Sequence, residues 1–232
     1  MSISVSTSAD TLLKTAMDFV EKNRGKITFL EHEVKGLLKN LGLPVPTGIF
    51  VKKEDVSPIH RLPYPLVAKI SSGKITSKSD VQGVRINIKN DDELKRALQD
   101  LGKIAYAEGI LIETMAPQGI EVIVGGIFDT QFGPVMMFGL GGILVELFKD
   151  VTFGLAPLTK EDALRLIKQV KGYRLLEGYR GRPPVDFDAL LHIIVSVSEL
   201  VAALPIEEID LNPVALYPEG AMILDAKLSL RP

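Results

Sequence analysis

The chain contains no cysteine, which excludes disulfides, thiolate nucleophiles and cysteine-ligated zinc or iron–sulfur sites. Any metal would have to use oxygen or imidazole donors. An excess of charge is also missing: 27 Lys and Arg stand against 29 Asp and Glu, a net charge of -2. Nothing global therefore draws the chain to nucleic acid or to an anionic membrane surface. No run of about 18 apolar residues occurs, and Met1 to Asp10 has no basic start followed by an apolar core. These absences lead to the expectation of a soluble, cytoplasmic protein with neither nucleic acid nor membrane as a partner. What is plentiful is apolar material: 46% of the 232 residues are hydrophobic, enough for one large domain or two small ones.

The most informative stretch is Asp129 to Asp150, an apolar run broken by Gly139, Gly141 and Gly142. Val135 to Phe138 and Ile143 to Leu147 have the length and apolarity of buried strands, and the Gly139–Gly142 connection can take positive φ and let a ligand approach the backbone closely. That makes it either a phosphate or nucleotide contact or a plain tight hairpin. The spacing is not the dinucleotide fingerprint, because a third glycine and a following helix are both lacking.

Two helices are expected at the start, over 11–23 and 29–41, with Thr28 and Glu31 as a capping box and Gly42 with Pro44 as a stop. A short strand over 48–51, a turn-rich connection through Pro58 and Pro65, and a strand over Leu66–Ile70 follow. Lys69 stands in that strand among apolar neighbours, where a charge must be paired or bound to an anion. The alternative is an edge lysine with its amine in water. The polar, dibasic stretch Ser71 to Asp80 reads as a loop, suited to folding over phosphates or simply to the surface. Val84–Ile88 alternates like a strand, Asp91–Leu101 is a helix with an acidic first turn, and Ile110–Ile112 is a strand closed by Glu113. Gly119–Phe128 makes a further strand with Glu121 near its start, and helices are expected from Thr159 to Val170 and from Phe187 to Leu204. Between these helices, Lys171 to Gly181 reads as an exposed connection. The chain closes on a hairpin, Ile209–Leu216 and Ala221–Leu228, turning at Tyr217 to Gly220. Asp210 and Asn212 share a face of its first strand, and the turn brings Asp225 beside them. Such a set suits either Mg²⁺ or a surface polar cluster.

The order of these pieces resembles the ATP-grasp fold. More closely, Ser79–Arg85, Gln131–Gly142, Leu155–Leu158, Gly178–Pro184 and Asp210–Pro213 are similar to the β subunit of archaeal ADP-forming acyl-CoA synthetases, and the likeness runs from about Phe29 to Leu228. The resemblance implies an α+β chain: N-terminal helices over 1–46, a small ATP-grasp subdomain over 47–112 and a large one over 113–232, enclosing a nucleotide cleft. It implies ATP or ADP with Mg²⁺, and a CoA-binding α subunit in an α2β2 hetero-oligomer that handles acyl-CoA and phosphate. On it, Lys69 meets phosphate, Glu113, Thr114 and Met115 form the hinge that meets adenine, and Glu121, Gly141, Gly142 and Glu146 line the nucleotide side. Asp210, Asn212 and Asp225 fall at the metal positions, and Ser77, Lys78 and Asp80 lie in the phosphoryl-relay loop.

Three departures stand out. Ser77 replaces the histidine that carries the phosphoryl group, Gln82 replaces a glycine and Gly154 an arginine. None of His32, His60 and His192 lies in the loop, and His32 and His192 are expected to be structural helix residues. Two readings follow: the nucleotide-binding subunit of an ADP-forming acyl-CoA ligase, or a non-catalytic ATP- or ADP-binding relative with a regulatory or structural role.

Overall fold

The computed structural model describes residues 9–52, 62–75, 77–142 and 150–232, which divide into two α+β units. The smaller comprises residues 29–34 and 46–117; the larger comprises the residues up to 28, then 35–45 and 118–232. The described residues between 9 and 46 fall in both units, with the first turn of α2 (Glu31–Asn40) grouping with the smaller one. Among the described residues no helix is long and apolar enough to cross a membrane.

The smaller unit is a four-stranded antiparallel sheet of order β1-β4-β2-β3, made of β1 (Gly48–Lys52), β2 (Leu66–Ser71), β3 (Val84–Ile88) and β4 (Gly109–Thr114). Helix α3 (Asp91–Gly102) covers one face, because Leu94, Ala97, Leu98 and Leu101 recur at helical spacing and are all buried. The Asn90 side chain accepts from Glu93 N and starts the helix. Beneath α3, alternation puts Leu66, Ala68 and Ile70 of β2 with Ile110 and Ile112 of β4 into one core. Each fully buried leucine or isoleucine there contributes about 1.5–3 kcal/mol. The same alternation sends Val67, Lys69, Leu111 and Glu113 to the opposite face.

In the larger unit the sheet order is β10-β8-β5-β6-β7, all antiparallel, with β9 also on β8. Its strands are β5 (Ile120–Asp129), β6 (Gly133–Leu140), β7 (Val151–Leu155), β8 (Ile206–Leu216), β9 (Ala221–Ile223) and β10 (Lys227–Leu230). Helix α5 (Phe187–Ala203) packs on β5, β6 and β8, and α1 (Ala9–Lys22) and α4 (Lys160–Lys168) pack on α5. Being covered on several sides explains why α5 is apolar around much of its girth, with Leu190, Ile193, Ile194, Val197, Leu200 and Val201 all buried.

Three expectations change. The capping box at Thr28 and Glu31 does not form: Leu30 N donates to Glu33 Oε2 at 2.9 Å, Thr28 bridges to Ser229, and Glu31 turns to two lysines. A buried cation holds a carboxylate more firmly than an exposed helix end does. Gly139 belongs to a strand rather than to a connection, because β6 continues through Leu140 and Gly139 pairs with Ile123 and Val151. Beside β6, on the side away from β5, runs β7; the strand expected at Ile143–Leu147 lies outside the described residues. β7 escaped notice because it holds Gly154 and exposes Phe153 and Leu155, as an edge strand does. Finally, the last strand of the C-terminal hairpin is split, because Leu224 N donates to Pro213 O and Asn212 N to Asp225 O across a bulge in β8.

Candidate functional site

In the smaller unit the structure brings together Lys69, Lys78, Glu113 and a residue that sequence reasoning assigned only to a cap, Glu31. Lys69 Nζ donates to Glu31 Oε1 at 2.9 Å and lies 3.0 Å from Glu113 Oε2, while Lys78 Nζ lies 2.9 Å from Glu31 Oε2. The two glutamate side chains are 3% exposed and the lysine side chains 10% and 13%. Alternating charge is what makes such burial tolerable, since an uncompensated ion there would be strongly unfavourable. The register explains half of the cluster: Val67 pairs with Glu113, so Lys69, two residues on, is its diagonal neighbour on the same face. Lys69 is therefore no edge lysine; β2 runs between β4 and β3.

Space for Glu113 comes from Gly48, opposite it on β1: a Cβ there would stand 2.8 Å from Glu113 Cγ. The sequence held a hint of Gly48 only as the start of a strand. Beyond Glu113, the amides of Thr114 and Met115 donate to Thr47 O and Pro65 O at 3.0 and 2.9 Å, which fixes the strand end where the hinge was expected. His32 stacks on Phe50 at 3.8 Å between ring centroids, in keeping with a structural role.

The loop carrying Ser77 closes on itself. Ser77 Oγ accepts from Asp80 N at 3.4 Å, Gly83 N donates to Lys78 O at 2.6 Å and Gln82 N donates to Ser79 O at 3.0 Å. Gly83 O in turn accepts from Ile70 N at 2.8 Å, so the turn is stitched to β2 and carries Lys78 to Glu31. Gln82, at the position where the resemblance leads one to expect glycine, has φ 52. A side chain in the left-handed region costs roughly 1–2 kcal/mol.

In the larger unit Glu121 and Gly141 line a cavity of about 470 Å³ together with Ile120, Leu140, Leu175 and the loop residues Tyr179, Arg180 and Arg182. Gly141 N donates to Glu121 O at 2.7 Å, and a Cβ on Gly141 would stand 2.9 Å from the Glu121 carbonyl carbon, so glycine is required by close backbone approach. Gly142 follows with φ 65; Glu146 lies outside the described residues. Arg180 falls in the connection Lys171–Gly181 that the sequence marks as exposed, and both arginines fall in the Gly178–Pro184 motif that carries the family resemblance. A glycine- and arginine-rich run between two helices was the signal available for them.

The expected metal residues sit on β8 and the β9–β10 connection. Ile209 and Leu211 are buried while Asp210 is half-buried and Asn212 exposed, so the latter two share a face, and Asn212 N donates to Asp225 O at 3.2 Å. Among the described residues no three His, Cys, Asp or Glu side chains form a metal-holding group. Two carboxylates and an amide are nevertheless hard oxygen donors of the kind Mg²⁺ accepts when water and phosphate complete its shell.

Residues 21–230 match the family model of the ATP-grasp domain. The chain belongs to the ATP-grasp family. Its two antiparallel α+β units are this family's architecture as it stands in the present chain. Among curated relatives, the β subunit of the ADP-forming acetate–CoA ligase I of Pyrococcus furiosus is 46% identical over 226 residues, covering 93% of this chain and 97% of that one. A solved structure of the dinucleotide-forming acetyl-coenzyme A synthetase 1 of Candidatus Korarchaeum cryptofilum, in complex with coenzyme A, Ca-AMPCP and HgCl⁺, superposes with a TM-score of 0.84. It is 40% identical, with 97% of this chain and 100% of that chain covered. A second structure of that synthetase holds coenzyme A and Mg-AMPPCP, with its phosphohistidine segment pointing towards the nucleotide-binding site; the TM-score is 0.79 and the identity 39%, over 94% of this chain and 100% of that chain.

Proposed function

We propose that this ATP-grasp chain is the nucleotide-binding subunit of an ADP-forming acyl-CoA ligase, which converts acyl-CoA, ADP and phosphate into carboxylic acid, ATP and CoA together with a separate CoA-binding α subunit in an α2β2 assembly. The observation that carries this reading is the near end-to-end likeness to a ligase β subunit, 97% of whose length is covered. Phosphoryl transfer asks a protein for positioning and charge neutralisation more than for covalent chemistry. Lys69 and Lys78, held in place by Glu31 and Glu113, keep two cations at fixed positions. Thr114 and Met115 would meet adenine, and Glu121, Gly141 and Gly142 would line the nucleotide. Asp210, Asn212 and Asp225 would hold Mg²⁺, which when bound offsets the charge of the phosphates.

Ser77 bears on how phosphate arrives. Imidazole accepts and releases a phosphoryl group readily, whereas a serine hydroxyl near neutral pH does not. Asp80 is tied to Ser77 through its backbone and leaves that hydroxyl without a general base among the contacts described. We therefore assign the phosphoryl donor to a phosphohistidine of the partner. In the transfer the P–N bond breaks as an oxygen of the ADP β-phosphate forms the new P–O bond, and the electron pair returns to imidazole. The regulatory, non-catalytic reading has Ser77 in its favour and nothing further.

The deciding experiment is ATP formation from acyl-CoA, phosphate and ADP by the chain purified with its partner. Turnover by the native Ser77 protein, with label from ATP found on the partner alone, is expected. Absence of turnover that Ser77→His restores would instead mean that the relay passes through this loop.

A further inference from the structure

Resting on that functional reading, we infer that the loop Tyr179–Arg182 is a phosphoryl-binding subsite, in which Arg180 and Arg182 engage the terminal phosphate of the nucleotide or the phosphoryl group coming in on the partner's histidine. Both arginines line the same cavity of about 470 Å³, and among the described residues no carboxylate forms an ion pair with either. This sets them apart from Lys69 and Lys78, whose charges are balanced within the protein. Glu121 lines the cavity as well, so the anion would meet two guanidinium groups and one carboxylate.

The loop is built to hold its shape. Its approach is fixed where Asp150 accepts from Lys171 N at 2.8 Å and Gly172 N at 3.0 Å, and where Leu176 is fully buried. Its tip folds back so closely that a Cβ on Gly178 would stand 2.7 Å from Arg182 O, and Arg182 N donates to Tyr179 O at 3.2 Å. Val185 N closes the base of the loop onto Leu176 O at 2.9 Å. Arg180 itself takes φ 50, a left-handed conformation that a side chain adopts only when its surroundings impose it, and its guanidinium lies 5.4 Å from the Tyr179 ring centroid. Guanidinium donors carried on a backbone held in this way can bind the oxygens of a phosphoryl group in pairs. The apolar floor of Ile120, Leu140 and Leu175 strengthens such contacts by keeping water from one side.

The test uses the Arg180→Gln/Arg182→Gln double variant, with melting temperature as the check on folding, and calorimetric titration with Mg-ADP and with AMP. A loss of ADP affinity of about tenfold with AMP affinity within twofold identifies the nucleotide's terminal phosphate as the ligand. Unchanged ADP affinity, with a loss of ATP formation of about 100-fold at constant KM for ADP, identifies the incoming phosphoryl group. Native-like values in both measurements, or equal losses for ADP and AMP, overturn the subsite and leave the ligase reading intact. A footprint on the native chain separates the opposite case: if pyrophosphate shields Arg180 and Arg182 from phenylglyoxal while the native pair makes no ATP, the subsite stands and the ligase reading falls. Equal labelling with and without pyrophosphate counts against the subsite whatever the turnover.

Discussion

The two cationic regions of this chain solve opposite problems. Around Lys69 and Lys78 the charge is buried, and each lysine finds a carboxylate within 3.0 Å. Around Arg180 and Arg182 the charge is exposed, and the described carboxylates leave it unpaired. Burial in a low-dielectric place forces internal neutralisation, whereas an exposed cation is kept tolerable by water until a ligand displaces it. A lysine at a ligand-binding position can thus owe its place first to the fold, and an arginine in a solvated connection can be the one that is ready to bind.

The largest effect that tests this contrast is expected from Glu31→Ala. It removes the carboxylate that lies 2.9 Å from both Lys69 Nζ and Lys78 Nζ, and should lower the unfolding free energy in urea by about 3–5 kcal/mol. Replacing both Arg180 and Arg182 by Gln should move it by no more than about 0.5 kcal/mol. Similar losses for the two variants would erase the distinction between the regions.

A carboxylate held by backbone amides rather than by lysine offers a middle case. Asp186 accepts from Ala189 N at 2.9 Å and Gly220 N at 2.8 Å, capping α5 and pinning the β8–β9 turn. The amides of Ala189 and Gly220 hold its carboxyl below the usual carboxylate value. A depressed pKa contributes stability that is full above the unfolded value, about 3.9, and is lost as pH falls through the folded value. Asp186→Asn should therefore narrow the gap in stability between pH 7 and pH 3, and Asp186→Ala should cost about 1 kcal/mol at pH 7. An unchanged pH profile in Asp186→Asn would mean that the amides do not favour the charged form.

Smaller still is Gln82→Gly in the Ser77 loop, which removes the left-handed strain at φ 52 and should stabilise by up to about 1 kcal/mol, less the extra freedom glycine gains when unfolded. Thermal melts read it directly, and destabilisation would show that the Gln82 side chain contributes contacts outweighing the strain. The smallest structural effect is expected from Asp225→Asn, on a half-exposed connection. Its melting temperature without Mg²⁺ should stay within about 2 °C of the native chain's, while the Mg²⁺ concentration needed for half-maximal nucleotide binding rises. Equal losses of melting temperature with and without Mg²⁺ would make it a structural aspartate.

Much of the fold was legible because its signals are local. The alternation in Leu66–Ile70, the helical spacing of Leu94, Leu98 and Leu101, and the turn at Tyr217–Gly220 each depend on neighbours a few residues away. Strand β7 was not legible, since an exposed edge strand with an internal glycine carries little apolar periodicity. At the site, Lys69 and Glu113 stood out as charges within apolar strands, while Glu31 looked like an ordinary residue at a helix start.

The amino-acid order by itself determined most of the helices and strands, through their periodicity, and marked Lys69 as a charge among apolar neighbours that is either paired or at a sheet edge. It also carried the family likeness, spread over collinear motifs along nearly the whole chain. Only the tertiary structure decided which countercharge Lys69 would take. Glu31 is 38 residues away in sequence, and its choice between a helix cap and two lysines depends on how β2, the Lys78 turn and the first turn of α2 pack. The same holds for Arg180 and Arg182, whose place on a cavity beside Glu121 and Gly141 comes from the folding-back of a loop that has no periodicity to read.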